Sequence, residues 1–372
     1  MKQGWEIKRL DDACEVEYGT RVVQKRDGGT VYPVYGGGGA TFFMDTFNRE
    51  DCLVVARFAM SAQCTRFVEG KFFLNDSGLT VRPKNDKELS PDFLDLQMRF
   101  LNDHIYSLSR GTAQRNLDVP AFRNIQIVFP KSIQEQQRIV SILDEAFAAI
   151  AKAKANAEQN LQNAKELFES YLQGVFEKKG DDWEEKTLDE VCEFRNGAAH
   201  EQCIDKEGKY ILVNSKFISV DGEKFKRTNN ALAPLYVNDI AFVMSDVPNG
   251  KALAKCFLVD ENEKYTLNQR IGAIKSKVFI PEFLVYQFNR NKYLLSFNNG
   301  ENQTNLRKGD ILQCPLWVPS KNEQQTIVRQ LDALRAETQK LEAVYHKKLE
   351  DLEELKKSVL QKAFNGEFNY KD

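Results

Sequence analysis

The side chains best able to do chemistry are few and scattered. Seven cysteines (Cys14, Cys52, Cys64, Cys192, Cys203, Cys256 and Cys314) stand singly, with no Cys-x-x-Cys pair. Three histidines, His104, His200 and His346, lie far apart, so no group has zinc-site spacing and no metal is expected. An odd thiol count in such a chain favours reduced cysteines, mostly core residues, over disulfides. Phosphate cradles are missing as well: Gly36–Gly39 is followed by Ala40-Thr41-Phe42, which does not complete Gly-x-Gly-x-x-Gly. Gly-x-x-x-x-Gly-Lys-[Ser/Thr], Gly-x-Ser-x-Gly and His-Glu-x-x-His do not occur either. All ten prolines are isolated, which excludes the [Asp/Asn]-Pro-Pro-aromatic motif of an amino-methyltransferase. The glycine run therefore reads as a flexible turn or a close-approach loop. No catalytic residue is assigned, and the chain is not expected to be an enzyme.

Binding is what remains, and charge limits it. The chain is 42% hydrophobic and 28% charged, with mean hydropathy -0.49, which fits a globular protein. Net charge is -2. Residues 1–131 carry 18 Lys+Arg against 17 Asp+Glu, and residues 183–319 carry 18 against 18. Neither stretch has the basic footprint of a protein that grips nucleic acid by itself. No apolar run reaches the ~18 residues that a membrane span needs. The opening Met1-Lys2-Gln3-Gly4-Trp5-Glu6 lacks the apolar core of a signal peptide, so a cytoplasmic location and no membrane partner are expected.

The elements that would position any site come in two copies. Residues 5–19 (WEIKRLDDACEVEYG) align with 183–197 (WEEKTLDEVCEFRNG), and 132–144 (SIQEQQRIVSILD) with 320–332 (SKNEQQTIVRQLD). Each pair shares eight residues, far above chance, and the two matches run in the same order. Each second block opens a long helix. Ser132 with Glu135, and Ser320 with Glu323, have capping-box spacing. Apolar residues then recur at alternating three and four spacings, through Ile139, Leu143, Ala146, Ile150 and onward, and through Ile327, Leu331, Leu334, Leu341 and onward. Stop signals follow at Lys178-Lys179-Gly180 and around Gly366.

Two helices of about 45 residues would each span roughly 65 Å. A narrow apolar stripe on so long a helix requires another helix as its partner. The alanine-rich stripe of the first faces the larger Leu/Tyr stripe of the second, and connectivity makes an intramolecular pair antiparallel. Pairing with a second molecule is the alternative. The stretches outside the helices hold short β-prone runs (53–55, 125–129, 211–213, 240–243), with short helices expected at Pro91–Asn102 and Pro281–Asn291. Both units share a Gly-x-x-Gln-x-Asn-Leu element (Gly111, Gln114, Asn116, Leu117; Gly300, Gln303, Asn305, Leu306). Their middles diverge, and Tyr35–Gly39 has no counterpart in the second sequence.

This layout resembles the DNA-specificity subunit of Type I restriction-modification systems, with the likeness covering essentially the whole chain. It is carried by the Glu-Gln-Gln-x-Ile-Val helix openings and by Tyr32–Gly37, Phe67–Gly70 and the Gly-x-x-Gln-x-Asn-Leu segment of the first unit. Met244–Lys251 and Leu267–Ile271 carry it in the second. The resemblance implies an α+β chain: two α/β target recognition domains separated by a long antiparallel two-helix coiled coil, as a pseudo-two-fold internal repeat. The domains would be 1–131 and 181–319, the spacer helices 132–180 and 320–366, and the tail 367–372.

It further implies that each domain reads one half of a bipartite, asymmetric double-stranded DNA target. The helices would set the half-site spacing and dock two methyltransferase subunits. S-adenosylmethionine, ATP and Mg would be bound by those partners and by restriction/translocase subunits, with no cofactor in this chain. A coiled-coil adaptor holding two protein-binding domains is the alternative. Arginine suits guanine and Asn/Gln suit adenine in the major groove. The candidate readers in the first domain are Arg21, Gln24, Lys25, Arg26, Arg57, Ser61, Gln63, Arg110, Thr112 and Gln114. In the second they are Lys216, Ser245, Asn249, Lys251, Asn268, Gln269, Arg270, Asn302 and Gln303. Gln114 and Gln303 recur in both units and equally suit a scaffold or phosphate role. Gln136, Gln137, Gln324 and Gln325 are assigned to the methyltransferase interface, with the helix start as their other use. Trp5 and Trp183 are expected in the core.

Overall fold

A computed structural model describes residues 3–246, 251–298 and 304–368. The strands are β1 (Trp5–Arg9), β2 (Cys14–Tyr18), β3 (Tyr32–Tyr35), β4 (Ala40–Met44), β5 (Arg49–Ala56), β6 (Thr65–Leu74), β7 (Gly78–Pro83), β8 (Ser109–Arg110), β9 (Asn116–Leu117) and β10 (Gln126–Pro130) in the first half. In the second half they are β11 (Glu184–Thr187), β12 (Cys192–Asn196), β13 (Tyr210–Val213), β14 (Lys226–Thr228), β15 (Ile240–Val243), β16 (Ser245–Asp246), β17 (Cys256–Leu258), β18 (Tyr265–Leu267), β19 (Ile271–Ser276), β20 (Thr304–Asn305) and β21 (Pro315–Val318). The helices are α1 (Leu10–Ala13), α2 (Gln24–Asp27), α3 (Pro91–Phe100), α4 (Asn102–Ser107), α5 (Val119–Arg123) and α6 (Ile133–Glu177), then α7 (Leu188–Val191), α8 (Ser215–Ser219), α9 (Pro281–Phe288), α10 (Lys292–Leu295), α11 (Lys308–Leu312) and α12 (Lys321–Phe364).

Contacts divide the chain into two compact units: Met1–Gln159 with His346–Asp372, and Asn160–Tyr345. Each therefore takes a globular part and a portion of both long helices. The first unit is built on one six-stranded sheet in the order β2-β7-β5-β6-β3-β4. The second repeats that order in two pieces, β12-β19-β15-β17 and β18-β13-β14. The break has a local cause. The ten-residue β6 serves both β5 and β3, whereas its counterpart is cut into β17 and β18 by residues 259–264. The chain's entry and exit pair antiparallel in both units, β1 with β10 and β11 with β21.

Alternation along the central strand buries both faces of each sheet. In β5, Leu53 and Val55 join one core with Phe93, Phe122 and Phe129, while Cys52 and Val54 join Phe72 and Leu74 on the other side. In β15, Ile240 and Phe242 face Phe283 and Phe288, while Ala241 and Val243 face Phe217 and Leu235. Trp5 and Trp183 are core residues of their units, as expected. Cys14, Cys52, Cys64 and Cys314 are buried and all seven thiols are free. Burial pushes the Cys14 and Cys314 thiols up to about 12, which keeps them protonated and unreactive.

The long helices run for 45 and 44 residues without interruption. In the first unit Arg138 donates to the Phe368 carbonyl at 2.9 Å and Lys154 meets Glu353 at 2.6 Å. In the second, Arg335 lies over the Phe168 ring at 4.9 Å and Tyr171 donates to Gln330 at 3.4 Å. Within each unit one index rises as the other falls, so the helices pair antiparallel inside the chain. Serine oxygens accept the expected N3 amides, Glu135 N to Ser132 Oγ and Glu323 N to Ser320 Oγ, both at 3.3 Å. The Glu323 carboxylate accepts from Trp183 Nε1 at 2.8 Å, so this side chain ties the start of the helix to the core. α12 closes on Gly366 in the left-handed region, with Glu367 N donating to Lys362 O and Gly366 N to Ala363 O. No helix among the described residues is long and apolar enough to cross a membrane.

Candidate nucleic-acid interface

At one end of each central strand, three backbone segments form a ledge, and the two ledges have the same hydrogen bonds. In the first unit Arg57 N donates to Ser77 O at 2.8 Å, and Leu117 N donates to Arg57 O at 2.8 Å. In the second, Met244 N donates to Arg270 O at 3.1 Å, and Leu306 N donates to Met244 O at 2.8 Å. The middle segment continues β5 or β15, and one flank is the Asn-Leu end of the shared motif. The other flank is a turn before β7 or β19, locked by an asparagine. Asn75 Oδ1 accepts from Ser77 N at 2.6 Å, and Asn268 Oδ1 accepts from Arg270 N at 3.3 Å.

A glycine seats each turn. A Cβ on Gly19 would lie 2.0 Å from Asn75 O, and one on Gly197 would lie 2.0 Å from Asn268 O. That explains the glycine closing the repeated first block. Tyr35, which lacks a counterpart in sequence, has one in space: Asn75 N donates to Tyr35 O at 2.8 Å, as Asn268 N donates to Val213 O at 3.0 Å. Gly36 and Gly37 follow because this chain must pass close to the turn. A Cβ on Gly36 would stand 2.1 Å from Ser77 Oγ, and one on Gly37 would stand 2.5 Å from Phe58 O. The run is a close-approach loop at these two positions, while Gly38 and Gly39 meet open space.

Several expected residues meet at these ledges. In the second unit, Ser245, Gln269 and Arg270 line a cleft of about 260 Å³ with Met244, Asn305 and Leu306. Ser215 Oγ donates to Ser245 O at 3.2 Å, bringing Lys216 alongside, and Ala252 N donates to Asp246 Oδ2 at 2.7 Å, bringing Lys251. Gln269 donates to Glu201 at 3.2 Å. The Glu201 carboxyl is held below its usual range, first by its own backbone amide and then by Asn268 and Gln269. In the first unit, Arg57 stacks over Tyr18 at 4.8 Å and Phe58 at 4.5 Å, and its Nη1 donates to Asp76 O at 3.2 Å. Arg110, Thr112 and Gln114 are exposed on the β8–β9 hairpin, where Arg110 pairs with Asp118. Ser61 and Gln63 are exposed just beyond Met60, whose amide donates to Arg115 O at 2.9 Å.

Other expectations change. Gln24, Lys25 and Arg26 sit on α2, which packs on β4, three strands across the sheet from β5, and Arg26 pairs with Asp27 at 2.8 Å. Arg21 is exposed on the segment leading to α2. Asn268 is buried and its oxygen closes the turn, so it shapes the ledge and does not offer that oxygen to a base. Asn249, Asn302 and Gln303 lie outside the described residues.

Gln136 and Gln324 need a fuller correction, because neither can face a partner subunit. Gln136 Oε1 accepts from Ser90 N at 2.7 Å, and its Nε2 donates to the Glu88 and Pro130 carbonyls at 2.8 and 2.7 Å. Gln324 does the same with Ile280 N at 2.8 Å and with the Pro319 and Val278 carbonyls at 3.0 and 3.4 Å. Both are fully enclosed and latch a long helix to the start of α3 or α9. Gln137 and Gln325, one residue on, are exposed.

The asparagine turns escape sequence reasoning, since Asn75-Asp76-Ser77 and Asn268-Gln269-Arg270 share one residue in three. So does a second matched pair, Gln97 and Gln287. Their Nε2 atoms donate to the Val128 and Trp317 carbonyls at 2.6 and 3.0 Å. The only sequence signal for this pair is a glutamine on the apolar face of each proline-started helix. His200 is buried between the Ala198 carbonyl (2.8 Å) and Thr266 Oγ1 (3.0 Å), a core position that its sequence context does not single out. Among the described residues, no three His, Cys, Asp or Glu side chains are placed to hold a metal.

Comparison with known proteins gives this repeated frame a context. The family described as Type I restriction modification DNA specificity domain matches residues 2–160 and 180–353. The Type I restriction enzyme MjaVIII specificity subunit of Methanocaldococcus jannaschii is 24% identical over 339 residues, covering 82% of this chain and 77% of that protein. The StySPI specificity subunit of Salmonella potsdam is 24% identical, covering 77% of this chain and 67% of its own length. The HsdS subunit from Thermoanaerobacter tengcongensis superimposes with a TM-score of 0.59 at 17% identity, over 98% of both chains. A chain from a structure addressing complex assembly and conformational transition of the type I R-M system does so with a TM-score of 0.78, also at 17% identity over 98% of both.

Proposed function

The chain belongs to the Type I restriction-modification DNA specificity family, and from that premise we propose that its two ledges read the two halves of one bipartite, asymmetric DNA target. The observation that carries this is the pair of ledges itself. Two copies of one backbone frame present unlike side chains, which is what unlike half-sites require. Exposed polar residues beside each ledge, among them Arg110, Gln114, Lys216 and Lys251, suit base edges and phosphates. The α6–α12 pair sets the gap between half-sites, and two methyltransferase subunits dock on this chain. Those subunits bind S-adenosylmethionine and supply much of the grip on phosphate, which fits a net charge of -2 here. Restriction/translocase subunits would bring the ATP- and Mg-dependent steps.

The test is selection from a randomised double-stranded DNA pool by the full chain with its methyltransferase subunits. Two defined, unlike sequence blocks separated by an unread gap are expected. Selection of one continuous block would defeat the bipartite reading, and absence of any sequence preference would favour the adaptor.

A further inference from the structure

The two ledges carry their arginines at different places. Backbone bonds equate Arg57 with Met244 and Ser77 with Arg270. The first unit therefore has its arginine on the middle segment and a serine on the turn. The second has a methionine in the middle and its arginine on the turn. We propose that Arg57 and Arg270 are the specificity-determining residues of their units, each reading a guanine of its own half-site. The shift from middle segment to turn then helps to make the two halves differ. This rests on the bipartite reading above and assigns it to residues.

Both arginines are placed for the task. Arg57 is preset by two aromatic rings and one carbonyl, so its planar fork is ordered before DNA arrives. Arg270 is exposed and lines the cleft, on a turn fixed by Asn268 and next to Gln269, itself held by Glu201. A guanidinium can bond guanine O6 and N7 together, whereas an ammonium cannot reproduce the fork. Serine and methionine at the exchanged positions offer no such pair of donors.

The experiment compares the complex containing the full chain, unaltered or with Arg57→Lys, Arg270→Lys or Arg270→Ser, on the same randomised DNA pool. Arg270→Lys should still bind while its preference for guanine at one base pair falls about 10-fold, in one half-site only. Arg57→Lys should do the same in the other half-site. Arg270→Ser should relax the same position as Arg270→Lys, and the lysine variant decides the matter should the serine variant bind no DNA. Unchanged sequence preferences would overturn the assignment. So would a uniform loss across all sequences with a smaller salt dependence, which marks a phosphate contact. Failure of the unaltered complex to select any split sequence would instead remove the bipartite reading on which the assignment stands.

Discussion

Gln136 and Gln324 show what a short motif can encode. The Glu-Gln-Gln opening is visible in sequence as a repeated block, but which glutamine turns inward depends on how α3 and α9 pack. Each latch satisfies one backbone amide and two carbonyls at buried or partly buried positions, so truncation strands groups with little access to water. Gln136→Ala and Gln324→Ala should each destabilise their unit by about 2–3 kcal/mol, read by hydrogen exchange of the joined elements. Gln137→Ala and Gln325→Ala should leave exchange unchanged, because those side chains are exposed. Asp95 on α3 provides a pH test. Burial first, and then nearby Asp92, raise its carboxyl from 3.8 to about 7, against the opposing pull of Arg99 and Arg82. Between those two values the folded state holds a proton that the unfolded state has lost, so stability falls as pH rises through this window. Asp95→Asn should therefore stabilise the first unit at pH 8, by on the order of 2 kcal/mol, and the gain should vanish near pH 3. A gain that grew on acidification would contradict the sign.

At the scale of elements, the long helices and the proline-started helices were legible because period and punctuation are local signals. The apolar stripes, the prolines at 91 and 281 and the Gly366 stop all lie where they act. The ledges were legible only in part. Their Asn-Leu flank repeats in sequence, but the turn flank is joined to it by tertiary pairing, and Tyr35 and Val213 share a position without sharing a side chain. The end of α12 adds a dependence that no local pattern announces. Phe364 stacks on Phe100 at 5.0 Å and meets Phe93 edge-on at 5.4 Å, so the far end of the chain completes the first unit's core. Phe364→Ala should cost that unit about 3–5 kcal/mol. Hydrogen-exchange protection should drop in β1–β10 and stay in β11–β21; equal loss in both would show that the contact is not confined to the first unit.

For the whole molecule, the decisive feature is that each compact unit borrows part of both long helices, so neither unit can be cut out by a single break in the chain. The proposed spacing role then has a quantitative consequence. The contacts Lys154–Glu353 and Tyr171–Gln330 define how residues of α6 face residues of α12, and interpolating between them matches 155–161 with about 344–350. Removing both seven-residue segments takes nearly two turns from each helix and keeps the apolar stripe in phase. Each helix shortens by about 10 Å at ~1.5 Å per residue. DNA rises ~3.4 Å per base pair, so the gap preferred by the complex should contract by about three base pairs. The half-site sequences should not change, because both ledges stay intact. Replacing residues 1–131 by the equivalent unit of another family member should produce the complementary result, one half-site altered and the gap kept. An unaltered gap after the paired deletion, with binding retained, would remove the spacing role from the helices and leave it to the partner subunits.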